Sequence, residues 1–147
     1  MQLRNFTEKD LPTLQSYRYK NHSYTELQLM LSDWSKKEID NRYFEMFAIV
    51  HNEEIVGMIS LYEHSEHIIS CGPEIFEEYR GQGFGFQAMK LALDIAKNKG
   101  YEVASAQIKK DNVASIALHK KLGFESDFYP YTNKKGNEVF VFIKALK

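Results

Sequence analysis

Cysteine is nearly missing from this sequence. Cys71 stands alone among 147 residues, so neither an intramolecular disulfide nor a cysteine-based zinc site can form. Long apolar runs are missing too: none approaches the roughly 20 residues of a spanning helix. Met1-Gln2-Leu3-Arg4 leads straight into strand-like sequence without the apolar core of a secretory leader. A soluble, cytoplasmic protein without membrane contact is the expectation. Only three prolines occur, scattered, with no linker, internal repeat or low-complexity stretch, which predicts one domain over residues 1–147. Nor is there a charge bias. Nineteen Lys and Arg against 20 Asp and Glu give a formal net charge of -1, without a basic stripe, so no nucleic-acid partner is expected and a small or peptide substrate fits better.

What is present is a chain 44% hydrophobic, enough for one continuous core. Helix and strand periods alternate along it. A short strand over Leu3 to Phe6 precedes a helix that Thr7 and Asp10 start and Leu11, Leu14 and Tyr17 continue. Ser23 and Glu26 form a capping box for a second helix, whose apolar stripe is Leu27, Met30, Leu31 and Trp34. Tyr43 to Val50 and Ile55 to Tyr62 flank a polar turn and predict a β-hairpin, with a third antiparallel strand from Ile68 to Phe76. Gly72-Pro73 interrupts that strand, and proline has no N–H for a ladder, so a bulge or an unpaired edge is expected there. Gly83 to Lys99 predicts a helix with Phe84, Ala88, Leu91, Ala92 and Ile95 inward and Gly100 as its stop. A strand over Val103 to Ile108, a helix over Asn112 to Leu122 closed by Gly123, and strands over Phe128 to Tyr131 and Val139 to Ile143 complete a mixed α/β order.

The start of the central helix is glycine-rich: Arg80-Gly81-Gln82-Gly83-Phe84-Gly85. First-turn N–H groups lack intrahelical acceptors and the helix dipole adds positive charge, so phosphate oxygens are stabilised there. Arg80 adds a cation with several donors. Gly83-x-Gly85-x-x-Ala88 also satisfies a dinucleotide fingerprint, but the polar run Glu77-Glu78-Tyr79 before it and some seventy residues of other elements count against that reading. A P-loop is excluded, since no Gly-Lys followed by Ser or Thr occurs. A glycine turn that merely ends a strand stays open as the plain alternative.

About thirty residues on lies Asn112-x-x-Ser115-x-x-Leu118, followed by Leu122-Gly123-Phe124. Together with Arg80-x-x-Gly83-x-Gly85, it resembles the two cofactor-binding motifs of the Gcn5-related N-acetyltransferases (GNAT), at their usual separation. The resemblance extends over the order of elements and so covers nearly the whole chain. It implies an α+β fold: a mixed, mostly antiparallel sheet of about seven strands flanked by about four helices, with the fourth and fifth strands splayed to admit acetyl-CoA. By position Ile75, Phe76 and Glu77 would give backbone contacts to the pantetheine arm, Arg80, Gly81, Gln82, Gly83, Phe84 and Gly85 would hold the pyrophosphate, and Asn112 and Ser115 would contact the cofactor. Helix capping explains Asn112 as readily.

The implied reaction is direct acetyl transfer to a primary amine in a ternary complex. Many relatives carry a tyrosine acid where this chain has His119; an imidazolium could serve, and a partly exposed helix residue is the alternative. Tyr129 or Tyr131 could supply a hydroxyl instead. For the base, His64 and Glu66, with Glu63 and His67, lie near the splayed edge, where a solvated turn is the competing explanation. His64-x-x-His67 lacks a third ligand, so no metal is expected, and Cys71 suits the core better than an acyl carrier. Tyr17, Tyr19, Tyr24, Trp34, Tyr129 and Tyr131 would form an aromatic acceptor pocket, or else helix packing. The run Val139-Phe140-Val141-Phe142-Ile143 could pair across a homodimer or be buried in the monomer. A non-catalytic acyl-CoA sensor is the second reading, and a nicotinamide-dependent oxidoreductase the third.

Overall fold

The computed structural model describes residues Met1–Lys147. In chain order it has β1 (Gln2–Asn5), a 3-10 turn (Glu8–Asp10), α1 (Leu11–Tyr17), α2 (Tyr24–Ser35), β2 (Glu38–Ile39), β3 (Arg42–His51), β4 (Glu54–Glu63), β5 (Ile68–Ile75), a second 3-10 turn (Glu77–Tyr79), α3 (Phe84–Asn98), β6 (Val103–Lys109), α4 (Val113–Lys121), β7 (Tyr131–Thr132) and β8 (Glu138–Ala145). One eight-stranded sheet follows the order β1-β3-β4-β5-β6-β8-β7, with β2 attached to β3. Every pairing is antiparallel except that of β5 with β6. The two-residue β2 raises the expected seven strands to eight, so the splayed pair is β5 and β6.

Local chemistry sets the helix ends. Ser23 Oγ accepts from the Glu26 N–H at 3.1 Å while the Glu26 carboxylate accepts from the Ser23 N–H at 2.9 Å, which satisfies two orphan donors at the start of α2. Leu14 and Leu27 are fully buried between α1 and α2, each stabilising by about 1.5–3 kcal/mol. The first helix is broken: Pro12 sits in the first turn of α1, and residues 8–10 form a separate 3-10 turn whose Asp10 carboxylate accepts from the Thr7 N–H and pairs with Arg4 at 2.8 Å.

The largest core lies between the sheet and α3, and there the expected stripe is turned by about one position. Ala88, Ala92 and Ala96 are fully buried together with Met89 and Leu93, while Leu91 and Ile95 are half-buried. Three alanines one turn apart let the helix axis approach the sheet closely, and the larger side chains fill the flanks. The strand expected from Phe128 begins only at Tyr131. Phe128 has φ 56° and turns its ring onto Phe140 and Phe142 at 5.3 and 5.6 Å, so aromatic packing overrides the local strand preference.

Candidate active site

Strands β5 and β6 pair at only two positions, Ile68 with Val103 and Ile69 with Ala104, and then diverge. On its other side β5 pairs with β4 without a break from Glu63–Ile69 to Gly57–Ile75. The splay therefore begins just after Ile69, ahead of Gly72-Pro73, and no bulge marks the proline. The Phe76 N–H bonds the Val56 carbonyl at 2.9 Å, and alternation along the antiparallel register then turns the backbone groups of Cys71, Pro73 and Ile75 away from β4. Pro73 thus occupies a position that owes β4 no hydrogen bond. The same alternation turns the N–H and C=O groups of Cys71 and Ile75 to the open edge, where the Ile75 carbonyl already accepts from Arg80 Nε, whereas the Phe76 N–H is used by β4 and its side chain is buried. Of the three residues expected to contact pantetheine, Ile75 presents its backbone to the opening. Glu77 lies in the 3-10 turn beyond it, with its carbonyl accepting from the Arg80 N–H.

Helix α3 starts at the mouth of this opening. Its N-cap Gly83 has φ 80° and Gly81 has φ 78°, the left-handed region that only glycine enters without strain, and no side chain caps the first turn. Arg80, exposed, donates from Nε to the Ile75 carbonyl at 3.0 Å and so folds back over the edge of β5. Gln82 is exposed, Phe84 turns its ring inward against His51, and Gly85 lies close to both Ile75 and Leu118. Lys121 and Lys90 place their ammonium groups 4.4 and 5.6 Å from the Phe86 ring, adding positive charge beside the uncapped turn.

The opening continues as a cleft of about 350 Å³ whose lining includes Ser60, Tyr62, Ser70, Gln107, Ser115 and His119. Asn112 Oδ1 accepts from the Ser115 N–H at 3.1 Å, so its oxygen caps α4 and its amide nitrogen has no partner within the chain. His119 is only 4% exposed, which overturns its reading as a partly exposed helix residue. A carbonyl oxygen only accepts, so the 2.8 Å contact between Nδ1 and the Ser115 carbonyl places the proton on Nδ1. Burial holds this imidazole below the usual histidine pKa, against the opposing pull of the Ser115 carbonyl. Because an unfolded chain would bind the proton that folded His119 refuses, folding stability should fall as pH drops below 6.5. Urea unfolding from pH 7.5 to 5.5 should show this loss in the wild type and a smaller loss in His119→Phe. Parallel profiles would contradict it.

His64 and Glu66 separate. His64 Nε2 lies 2.5 Å from Ser70 Oγ, which donates onward to the Ser105 carbonyl at 2.6 Å, while Glu66 is 89% exposed on the turn and faces only His67. Glu63 accepts from the Tyr101 hydroxyl at 2.6 Å, and His67 pairs with Glu102 at 3.2 Å. Burial pushes the Cys71 thiol up to about 12, so it is no nucleophile at neutral pH. The aromatic residues expected around the acceptor do not form one pocket: Trp34 packs on Phe6, Tyr17 on Phe76 and Tyr19 on His22, while exposed Tyr129 and Tyr131 pack only on each other. Tyr62 is the phenol in the cleft. A larger groove of about 770 Å³ follows the outer edge of β8, away from the glycine loop. Val139 and Phe142 of the run considered for a dimer are buried within the chain, and Ile143 is half exposed.

Ser60, Tyr62, Ser70, Ser105 and Gln107 are the cleft residues that sequence reasoning missed. Their one signal was polar or small residues at alternate positions in three apolar strands, which the register then brings side by side, Tyr62 opposite Ser70 and Ser60 opposite Gly72.

The sequence pattern of the Acetyltransferase (GNAT) family matches residues 6–124. YokL of Bacillus subtilis, an SPbeta prophage-derived uncharacterized N-acetyltransferase, is 28% identical over 97 residues, 64% of this chain and 55% of that protein. YobR, an uncharacterized N-acetyltransferase of the same organism, is 40% identical over 50 residues, 34% of this chain and 20% of that protein. An L-methionine sulfoximine/L-methionine sulfone acetyltransferase of Pseudomonas aeruginosa is 41% identical over 49 residues, 33% of this chain and 28% of its own length. The matches thus span little more than half of these relatives at most. Among solved structures, Mycobacterium smegmatis RimJ in complex with CoA-disulfide aligns with TM-score 0.84 at 15% identity, over 97% of this chain and 80% of that one. YncA of Salmonella typhimurium with acetyl-CoA gives 0.74 at 16% identity, over 100% and 94%. A spermidine N-acetyltransferase chimera from Vibrio cholerae and hSSAT gives 0.79 at 18%, over 99% and 96%. At these identities the likeness is one of fold.

Proposed function

Because the chain belongs to the Acetyltransferase (GNAT) family, we propose that it moves an acetyl group from acetyl-CoA to a primary amine, with both substrates held together between β5 and β6. One observation carries this: an uncapped helix start with two left-handed glycines opens directly onto the unpaired edge of β5. Acetyl-CoA supplies an activated acyl group as a thioester. The residues present fit it. N–H groups of the Gly81–Gly85 loop, Arg80 and the nearby Lys121 suit a pyrophosphate. Open-edge groups of Cys71 and Ile75 suit the amides of pantetheine, which would bond as an added strand does. The free amide nitrogen of Asn112 adds a donor, and the Cys71 N–H would polarise the thioester carbonyl.

His119 is unsuited to the imidazolium role its position raised. Held neutral, with Nδ1–H committed to Ser115, it orders the cleft-facing turn of α4, and the Tyr62 hydroxyl is the proton donor left beside the departing thiol. For the acceptor, no charged side chain lines the cleft, and the Glu74 carboxylate, next in sequence after its Pro73, is engaged by Arg18. That lining favours a small amine over a polyamine, whose further ammonium groups would need carboxylate partners, and the likeness to a methionine sulfone acetyltransferase supports an amino-acid analogue as the probe. Thiol release from acetyl-CoA should be at least about 10-fold more efficient in kcat/KM with an amino-acid analogue such as methionine sulfone than with spermidine, a contrast on the scale of one unsatisfied polar group. Tight acetyl-CoA binding without thiol release on any amine tested would replace the transferase reading with that of an acyl-CoA sensor.

A further inference from the structure

At the vertex where β5 and β6 part, three groups from three elements form a line. The His64 ring, exposed at the β4–β5 turn, has Nε2 2.5 Å from Ser70 Oγ on β5, and Ser70 Oγ is 2.6 Å from the Ser105 carbonyl on β6. Ser70 and Ser105 both line the cleft, while His64 reaches solvent. The line therefore runs from the inside of the cleft to bulk water.

A serine hydroxyl has one proton to give and two neighbours here that can take it. When Nε2 is protonated it donates to Ser70, and Ser70 must donate to Ser105. When Nε2 is bare, the Ser70 proton turns to it and the Ser105 carbonyl loses its donor. That carbonyl lies at the vertex, beyond the last rung between β5 and β6, so no strand hydrogen bond from β5 replaces the lost one. A half-buried carbonyl left so favours an N–H donor from whatever occupies the cleft.

From this geometry we infer that Ser70 and His64 form a proton relay for the acceptor amine, with the Ser105 carbonyl as the amine's docking point. The inference rests on the transferase reading above. An acceptor entering as an ammonium donates one N–H to the Ser105 carbonyl and presents a second to Ser70 Oγ. Its proton passes to Ser70 Oγ as the Ser70 proton passes to Nε2 of neutral His64, which releases a proton to water from its exposed side. The neutral amine then forms the N–C bond as the C–S bond of the thioester breaks, and the second proton lost by nitrogen ends on the thiol sulfur. Two protons leave the ammonium, one to solvent and one to sulfur, and no redox step is involved. Ser70 carries the proton, the Ser105 carbonyl holds the amine and His64 is the terminal base.

Several other titratable groups surround His64. Tyr62 of β4 meets its ring edge-on at 5.3 Å, and Glu66 and His67 share its turn. Glu63 and Glu102 are engaged with Tyr101 and His67. A pH effect must therefore be traced to His64 by substitution. With acetyl-CoA and methionine sulfone as the probe pair, Ser70→Ala and His64→Gln should each lower kcat by about 100-fold, the lower end of what general base catalysis contributes. Acetyl-CoA affinity should stay within error in both variants and the melting temperature within error in His64→Gln, the double variant should be no slower than either single one, and the acidic limb of the kcat profile should vanish in His64→Gln. A wild type that turns over, with both variants keeping rate and limb, overturns the relay alone. A wild type that releases no thiol with any amine overturns the transferase reading instead.

A second readout needs no turnover. Nitrogen-15 NMR of the neutral His64 ring should show the Nδ1–H tautomer, leaving Nε2 to accept from Ser70, and Ser70→Ala should shift that population. A neutral ring with the proton on Nε2 overturns the relay, since Ser70 would then stay committed to Ser105.

Discussion

Exchanging Gly83 for alanine is expected to weaken acetyl-CoA binding roughly 100-fold, the worth of one or two charge-assisted hydrogen bonds, while the protein stays folded. The N-cap backbone at φ 80° lies where an L-residue costs about 1–2 kcal/mol, so alanine would pull the chain towards negative φ and re-aim the N–H groups of the first turn. Nothing in the protein lies within 4 Å of the added methyl group, so packing gives no reason for unfolding. The space it would fill is the approach to the helix start. Isothermal calorimetry with acetyl-CoA, beside a thermal melt, separates the two effects. An unchanged dissociation constant would reduce the glycine loop to a turn that merely ends a strand.

The reverse pattern is expected at Gly57. Its φ needs no glycine, yet an added Cβ would lie 2.4 Å from the Glu74 carbonyl oxygen and 2.9 Å from the Ile75 Cα. Both are backbone atoms and cannot swing aside. Gly57 pairs directly with Ile75, at the non-hydrogen-bonded positions where strands approach most closely. Gly57→Ala should therefore cost about 3 kcal/mol, the upper part of the range for overpacking. For a domain of this size the melting temperature would fall by ~10 °C. Since relief requires β5 to move, acetyl-CoA binding should weaken as well. A melting temperature within 2–3 °C of wild type, a shift worth only about 1 kcal/mol, would show that the sheet yields at little cost.

These two glycines mark what was legible beforehand. Gly83 belongs to a local pattern, a helix start beside an arginine, and such starts are encoded within a few residues. The same holds for Ser23 with Glu26, and for Gly123, whose φ of 91° ends α4 as its position implied. Gly57 is required by a strand some seventeen residues away, and nothing beside it says so. Nor could the sequence show that β6 leaves β5 after two pairs, which places the opening ahead of Pro73. His119 illustrates the same limit. Lysines follow it in sequence, yet Phe124 and Phe142, with ring centroids 4.9 and 6.2 Å away, bury it. Ser60, Tyr62, Ser70, Ser105 and Gln107 come from three strands, so the polar wall they build exists only once register is set.

Pro73 has a further consequence. An open strand edge inside a cleft is a hazard, because any extended chain with free amides can zip onto it and nucleate aggregation. Beyond Ile69, where pairing with β6 ends, the outward-facing positions of β5 are Cys71, Pro73 and Ile75, and Pro73 has no N–H, so a β-strand laid along this edge meets a missing rung at its centre. A ligand with two amide groups set apart by a flexible spacer needs no such rung. The proline thus filters what the edge will accept, turning away polypeptide strands while leaving room for a shorter, sparser partner.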